Sequence, residues 1–224
     1  MYTLVIANKN YSSWSLRAWL ALRVAGIAFE EKRVGLDTPE FAQQLQGLTP
    51  AGQVPVLIDE GLAVWDSLAI CEYAAERHPE AGLWPADPRA RARARSLAAQ
   101  MHSGLGALRR LMPMNIEAHL PGIDLTEALQ DIDKVQTLWR DTRAEFGRSG
   151  SFPAGPFLFG QFSAADAFYA PVVSRFTTYG VAAEGAARDY MDAVLALPAM
   201  QEWMREARAE GMWVAQDEPY RTHR

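Results

Sequence analysis

The chain has 224 residues, 49% of them apolar, which is enough to bury the core of one large domain or two ordinary ones. A formal net charge of −5 argues against nucleic acid as a partner, since phosphate binding needs a concentrated basic surface. The single cysteine, Cys71, excludes an internal disulfide, and neither a signal peptide nor an apolar run of ~20 residues is visible, so we predict a cytoplasmic protein without a membrane partner.

The first third of the chain alternates strand and helix patterns. Residues 2–7 form a short apolar run typical of a buried strand, and residues 14–25 carry apolar side chains at helical spacing up to Gly26. Residues 27–34 suit a second strand, followed by a short helix from 39 to about 47. A strand, a helix and a parallel strand require a right-handed crossover.

A hairpin and a capped helix follow. The apolar residues 56–58 and 62–64 flank a turn that contains Gly61, which predicts two antiparallel strands. Asp66 and Ser67 then stand where an acid and a hydroxyl cap a helix. Together with the first two strands, the hairpin predicts a mixed four-stranded sheet.

The strand signals stop at residue 78. Residues 79–88 hold three prolines and one glycine, which indicates a linker. Beyond it, helical spacing predicts helices at about 89–118, 124–147, 163–179, 185–197 and 198–210. We therefore predict an α/β domain at 1–78, the linker at 79–88 and an all-α domain at 89–224.

Three motifs together resemble those of the cytosolic glutathione transferases. Val54-Pro55 matches the family's cis-proline, residues 66–70 (Asp-Ser-Leu-Ala-Ile) match its γ-glutamyl motif, and residues 163–166 match its buried N-capping box. They occur in the family's order around a proline-rich linker, and the resemblance covers nearly the whole chain. It implies a thioredoxin-like N-terminal domain, an all-helical C-terminal domain, glutathione as co-substrate and a homodimer.

The resemblance also implies how glutathione is held. A cis bond at Pro55 would turn the backbone of Val54 outward to pair with the cysteinyl part of the tripeptide. Ser67 and the helix start would bind the γ-glutamyl carboxylate, and Asp66 would take the α-amino group. Gln53 is the better candidate for the glycyl carboxylate. On the residues alone, the alternative is that Asp66 and Ser67 only cap a helix.

A serine hydroxyl is the predicted thiol activator, because a thiol of pKa ~8.5 is mostly protonated at neutral pH. Ser12 and Ser13 lie between the first strand and helix, where the family keeps its catalytic residue. They resemble the Ser-Ser-Cys motif of the zeta class, the maleylacetoacetate isomerases, whose first serine is catalytic. Trp14 stands in place of the cysteine, so isomerase activity is left open. Tyr11 is an alternative donor, and either serine could be a helix cap.

The functional prediction is a serine-type glutathione transferase, or a glutathione-dependent cis-trans isomerase, that holds a hydrophobic electrophile in its helical domain. No metal is expected, because the four histidines are too scattered in the sequence for a metal site. Lys9 is a further candidate for the glycyl carboxylate. The alternative function is a non-catalytic interaction or regulatory protein with the same fold.

Overall fold

A four-stranded mixed sheet forms the centre of the first domain in the computed structural model, which describes residues 1–147 and 154–223. The strands are β1 (Tyr2–Ile6), β2 (Phe29–Arg33), β3 (Val56–Asp59) and β4 (Leu62–Trp65), in the order β2-β1-β3-β4. β1 is parallel to β2 and antiparallel to β3, and β3 forms the hairpin with β4. The predicted mixed sheet and its hairpin are confirmed.

Three helices accompany this sheet: α1 (Ser13–Val24), α2 (Phe41–Leu45) and α3 (Ser67–Arg77). α1 is almost wholly buried, because it packs against α3 and also against a helix of the second domain. α2 is shorter than the predicted helix at 39–47. Its N-cap residue, Glu40, makes no side-chain capping hydrogen bond, and the hydroxyl of Thr38 donates to the carbonyl of Gly35 at 3.0 Å.

The second domain is helical, as predicted. Its helices are α4 (Pro88–Ser103), α5 (Gly106–Leu111), α6 (Leu129–Thr142), α7 (Ala164–Tyr179), α8 (Gly185–Ala196) and α9 (Pro198–Ala209). The division at residues 79–88 stays a prediction, and the range 89–224 includes residues 148–153 and 224, which lie outside the described residues. Within residues 1–147 and 154–223, no helix is both long and apolar enough to cross a membrane.

The single helix predicted at 89–118 is wrong. α4 ends at Ser103, and Leu105 adopts a left-handed backbone with φ of +56° before α5 begins. A Cβ atom on Gly104 would lie 2.7 Å from the carbonyl oxygen of Gln100, so only glycine fits this turn. The break directs α5 towards the first domain, and the chain leaves regular helix before Pro113.

The predicted capping box is confirmed at the start of α7. The carboxylate of Asp166 is fully buried and accepts the backbone N–H of Ser163 at 2.8 Å and that of Leu158 at 3.1 Å. Because α7 is the central helix of the domain and packs on α1, α4 and α8, this carboxylate supports both domains.

Lys9 ties the loop after β1 to α9. Its buried ammonium lies 2.7 Å from a carboxylate oxygen of Glu31 and 2.6 Å from one of Glu206. The Lys9 ammonium also contacts the rings of Trp19 and Trp203, whose centroids lie 4.7 and 5.0 Å from Nζ. Lys9 thus fixes the position of the β1–α1 loop. It was a predicted partner of the glycyl carboxylate, but it does not line the cavity described below.

Candidate functional site

A cavity of about 900 Å³ lies between the two domains. The first domain contributes the β1–α1 loop, the segment before β3 and the start of α3, and the second contributes α5, the residues after it, α7 and the C-terminal tail. The predicted site residues that line it are Ser12, Ser13, Gln53, Val54, Pro55, Asp66 and Ser67. Residues far apart in the sequence are therefore brought to one surface.

The Val54-Pro55 peptide bond, which is cis, forms one wall. Pro55 is buried, Val54 is half-buried and Gln53 is exposed. Val54 lies just outside β3, and no backbone hydrogen bond joins it to another described residue. Its N–H and C=O can therefore pair with an extended ligand.

The start of α3 forms the next part of the wall. Asp66 has φ of +41° and ψ of 158°, a conformation that costs about 1–3 kcal/mol in a residue other than glycine. Its Oδ1 accepts the N–H of Leu68 at 2.7 Å, and its Oδ2 lies 3.1 Å from Nε2 of His102 on α4. The hydroxyl of Ser67 is fully buried and has no hydrogen-bond partner among the described residues.

This wall has the chemistry of a site for a zwitterion. An unpartnered hydroxyl beside the N-terminus of an eleven-residue helix favours a carboxylate, and the carboxylate of Asp66 favours an ammonium group. Both groups occur on the γ-glutamyl end of glutathione, so the buried Ser67 hydroxyl fits that tripeptide. Over the described ranges, no group of three or more His, Cys, Asp or Glu side chains could hold a metal ion.

The hydroxyl groups of the β1–α1 loop differ in their partners. Ser12 is the N-cap of α1: its Oγ accepts the N–H of Ser15 at 3.3 Å and donates to the Oγ of Ser15 at 2.8 Å. The Oγ of Ser13 accepts from Nη2 of Arg175 at 3.2 Å. Tyr11 donates to Glu218 at 2.7 Å, so its proton already has an acceptor, and burial raises the pKa of Tyr11 to about 12.

Arginines near Trp14 make the other side of the cavity positive, and neither Arg109 nor Arg175 among them was predicted from the sequence. The guanidinium carbons of Arg17 and Arg109 lie 4.2 and 4.8 Å from the ring centroid of Trp14. Arg109 and Arg175 line the cavity, whereas Arg17 is buried beneath Trp14. Arg109 and Arg175 follow Trp14 in the chain by about 95 and 160 residues, and no local pattern marks them.

The C-terminal tail closes one end of the cavity. Gln216 and Asp217 line it. Next to them, Glu218 accepts hydrogen bonds from Tyr11 at 2.7 Å and from Asn115 at 2.8 Å. The tail is therefore fixed to both domains at the entrance of the site.

The tail makes stability depend on pH. Burial raises the pKa of Asp217 to about 6, so the ionised carboxylate destabilises the folded state above that pH, and the cost shrinks as pH falls from 6 towards 4. We expect Asp217→Asn to raise the midpoint of thermal unfolding by about 1–3 °C near pH 8, a small effect because the group is partly solvated. Exposed Asp133→Asn is the control, and a gain that stays constant down to pH 4 would contradict the assignment.

Two family models match the chain. The glutathione S-transferase N-terminal domain matches residues 11–77, and the glutathione S-transferase C-terminal domain matches residues 88–206. These ranges contain the hairpin, the start of α3 and helices α4 to α8, and with them most of the cavity wall.

Named relatives agree with these models. A probable maleylacetoacetate isomerase of Caenorhabditis elegans is 36% identical over 105 residues, 47% of this chain and 49% of that protein, so the chain spans about half the length of this relative. Glutathione S-transferase 1 of Dianthus caryophyllus is 32% identical over 180 residues, 77% of each chain.

A solved structure shows the same fold. A glutathione transferase homolog from Burkholderia, crystallised with bound glutathione, superposes with a TM-score of 0.68 at 24% identity, covering 93% of this chain and 98% of that one. At this identity the likeness concerns the fold.

Proposed function

The chain belongs to the glutathione S-transferase family, and on this premise we propose that it binds glutathione between its two domains and stabilises the bound thiolate with a serine hydroxyl. The thiolate would serve conjugation to an electrophile or glutathione-dependent isomerisation. The observation that carries the proposal is the buried, unpartnered hydroxyl of Ser67, beside Asp66 in the cavity wall and without an acceptor or donor in the described chain.

Each end of glutathione has a proposed set of partners. Ser67 and the N-terminus of α3 hold the γ-glutamyl carboxylate, and Asp66 holds the α-amino group. The backbone of Val54, next to Pro55, pairs with the cysteinyl unit in the manner of an added strand. Gln53, exposed at the outer end of this wall, reaches the glycyl carboxylate.

The serines act on the sulfur. Glutathione supplies, when bound, a nucleophilic thiol. Ser12 and Ser13 lie at the N-terminus of α1, where a hydroxyl donor and the helix dipole both favour a negative charge. A hydrogen bond to the thiolate lowers the thiol pKa without any side chain having to accept the proton.

The electrophile is proposed to have an apolar body and an anionic group. Trp14, Pro113 and Met114 provide apolar cavity wall next to the thiol region, and Arg109 and Arg110 provide positive charge there. An uncharged hydrophobic electrophile would contact only the apolar wall and not the arginines. A substrate screen for conjugation and for cis-trans isomerisation, with matched neutral and anionic electrophiles, separates these outcomes.

A homodimer in the reducing cytoplasm is part of the proposal. β4 is an edge strand, and Leu62 on it is 53% exposed, which favours a partner surface there. The sole cysteine, Cys71, is buried, and burial raises its thiol pKa to about 12, so it does not compete with glutathione in thiol chemistry. Light scattering on the purified chain tests the dimer.

Calorimetric binding of glutathione tests the proposed function. We expect Ser67→Ala to weaken affinity about tenfold, which is ~1.4 kcal/mol, since one hydrogen bond to a charged group is lost. Ser96→Ala removes a hydroxyl that donates to the carbonyl of Ala92 on the exposed face of α4, and this variant should bind glutathione like the wild type. No binding at millimolar glutathione would reject the proposal and favour the non-catalytic alternative.

A further inference from the structure

The two candidate serines are not equivalent as hydrogen-bond donors. A serine hydroxyl has one proton and two acceptor lone pairs. Ser12 uses its proton on the Oγ of Ser15, which also accepts the backbone N–H of Ala7 at 3.1 Å. The proton of Ser12 is thus committed to the turn that starts α1, and withdrawing it would disturb the N-cap.

Ser13 has the opposite arrangement. Its Oγ accepts from Nη2 of Arg175 and donates to no atom of the described residues. Ser13 is 7% exposed, and its surface faces the cavity. One of its acceptor sites is filled, so its proton is available to a group inside the cavity.

Arg175 is held rigidly where it meets Ser13. The side chain is 4% exposed, and its Nε donates to the carbonyl of Met112 at 2.6 Å. Its Nη1 is buried without a hydrogen-bond partner among the described residues. Burial lowers the pKa of Arg175 to about 10, so the guanidinium is still charged at neutral pH beside the Ser13 oxygen. A hydroxyl that accepts a hydrogen bond from a cation is itself a stronger donor.

We propose that Ser13, rather than Ser12, donates to the glutathione thiolate, and that Arg175 is the positioning residue that fixes the Ser13 hydroxyl in that orientation. The inference rests on the proposed binding of glutathione in this cavity. The thiol proton leaves to solvent water, Ser13 keeps its own proton, and Arg175 stays charged throughout. Arg175 acts through Ser13 and does not itself need to touch the sulfur.

The test is the pKa of glutathione bound to each variant, read from the ultraviolet absorbance of the thiolate as a function of pH. We expect Ser13→Ala and Arg175→Met each to raise that pKa by about 1–2, a 10- to 100-fold fall in the ratio of thiolate to thiol. Ser12→Ala should raise it less, since it only loosens the turn. Arg175→Lys keeps a charged donor and should recover part of the effect.

Two controls separate positioning from a general positive field. Arg109 is a cation of the same cavity that bonds neither serine. Arg109→Met should therefore raise the pKa of the bound thiol less than Arg175→Met does. The double variant of Ser13 and Arg175 should be no worse than Ser13→Ala alone, because both changes remove one interaction. Additive effects would overturn the positioning role.

Other results would overturn the assignment of the donor. A large rise with Ser12→Ala and none with Ser13→Ala would make Ser12 the donor. A bound-thiol pKa in Arg175→Met equal to that of the wild type, together with lost glutathione affinity, would make Arg175 a binding residue. If Arg175→Met does not fold, Arg175→Lys and Ser13→Ala decide the question. Absence of glutathione binding by the wild type is a different result, which rejects the proposed function itself.

Discussion

Asp166→Ala is expected to lower the free energy of unfolding by about 3–5 kcal/mol, because two buried backbone N–H groups, of Ser163 and Leu158, lose their shared acceptor. Each such orphaned donor costs about 1–3 kcal/mol. The start of α7 also loses its cap, and α7 contacts both domains. Urea unfolding followed by tryptophan fluorescence measures the loss, and Trp139 packs beside α7.

Asp166→Asn is the matched variant. Its amide keeps one acceptor oxygen, so it should retain the bond from either Ser163 or Leu158 and lose about half as much stability. Equal losses for the two variants would mean that the negative charge, and not the two bonds, stabilises the cap. Asp133→Ala on the exposed face of α6 should change the urea midpoint little.

Arg17→Met is expected to make the protein more stable, by about 1–3 kcal/mol. Arg17 is fully buried, and none of its guanidinium nitrogens has a hydrogen-bond partner in the described chain. Burial, and then the neighbouring charges of Arg175 and Arg109, lower the pKa of Arg17 to about 9, which records how unfavourable the charge is there. A flexible apolar side chain removes this cost and keeps the contacts with Trp14 and Phe168.

The opposing term is the attraction between the cation and the two rings, whose centroids lie 4.2 and 5.2 Å from the guanidinium carbon of Arg17. It is worth about 2 kcal/mol or more at a desolvated site, which is still less than the cost of a buried charge with no hydrogen bonds. A lower urea midpoint for Arg17→Met would show that the attraction between the cation and the rings exceeds the cost of burying the charge. Exposed Arg140→Met serves as the control and should be neutral within about 0.5 kcal/mol.

Much of the fold was predictable because its signals are local. The hairpin followed from apolar runs on both sides of Gly61, and the capping box followed from the three-residue spacing of Ser163 and Asp166. The helix predicted at 89–118 was wrong because its composition is helical throughout, while one glycine and a left-handed Leu105 redirect the chain. A single backbone conformation outweighed the propensity of many residues.

The proposed glutathione-binding residues of the first domain are also local in the sequence, since Val54, Asp66 and Ser67 lie within fifteen residues of each other. His102 was not found. It pairs with Asp66 from α4, and no local sequence pattern marks it. That partnership depends on how α4 packs against α3.

The sequence by itself determined the two-domain architecture, the proline and helix-start motifs of the binding wall and the pair Ser12-Ser13, because caps, turns and periodic faces are set by neighbours within one or two turns. Only the tertiary structure decided which hydrogen-bond partners the two serines have. The bonds that separate the two serines run from Ser12 to its own turn and from Ser13 to Arg175, 162 residues away on α7. A hydroxyl's direction is set by whichever donor or acceptor packing brings nearest, and no spacing in the sequence encodes that distance.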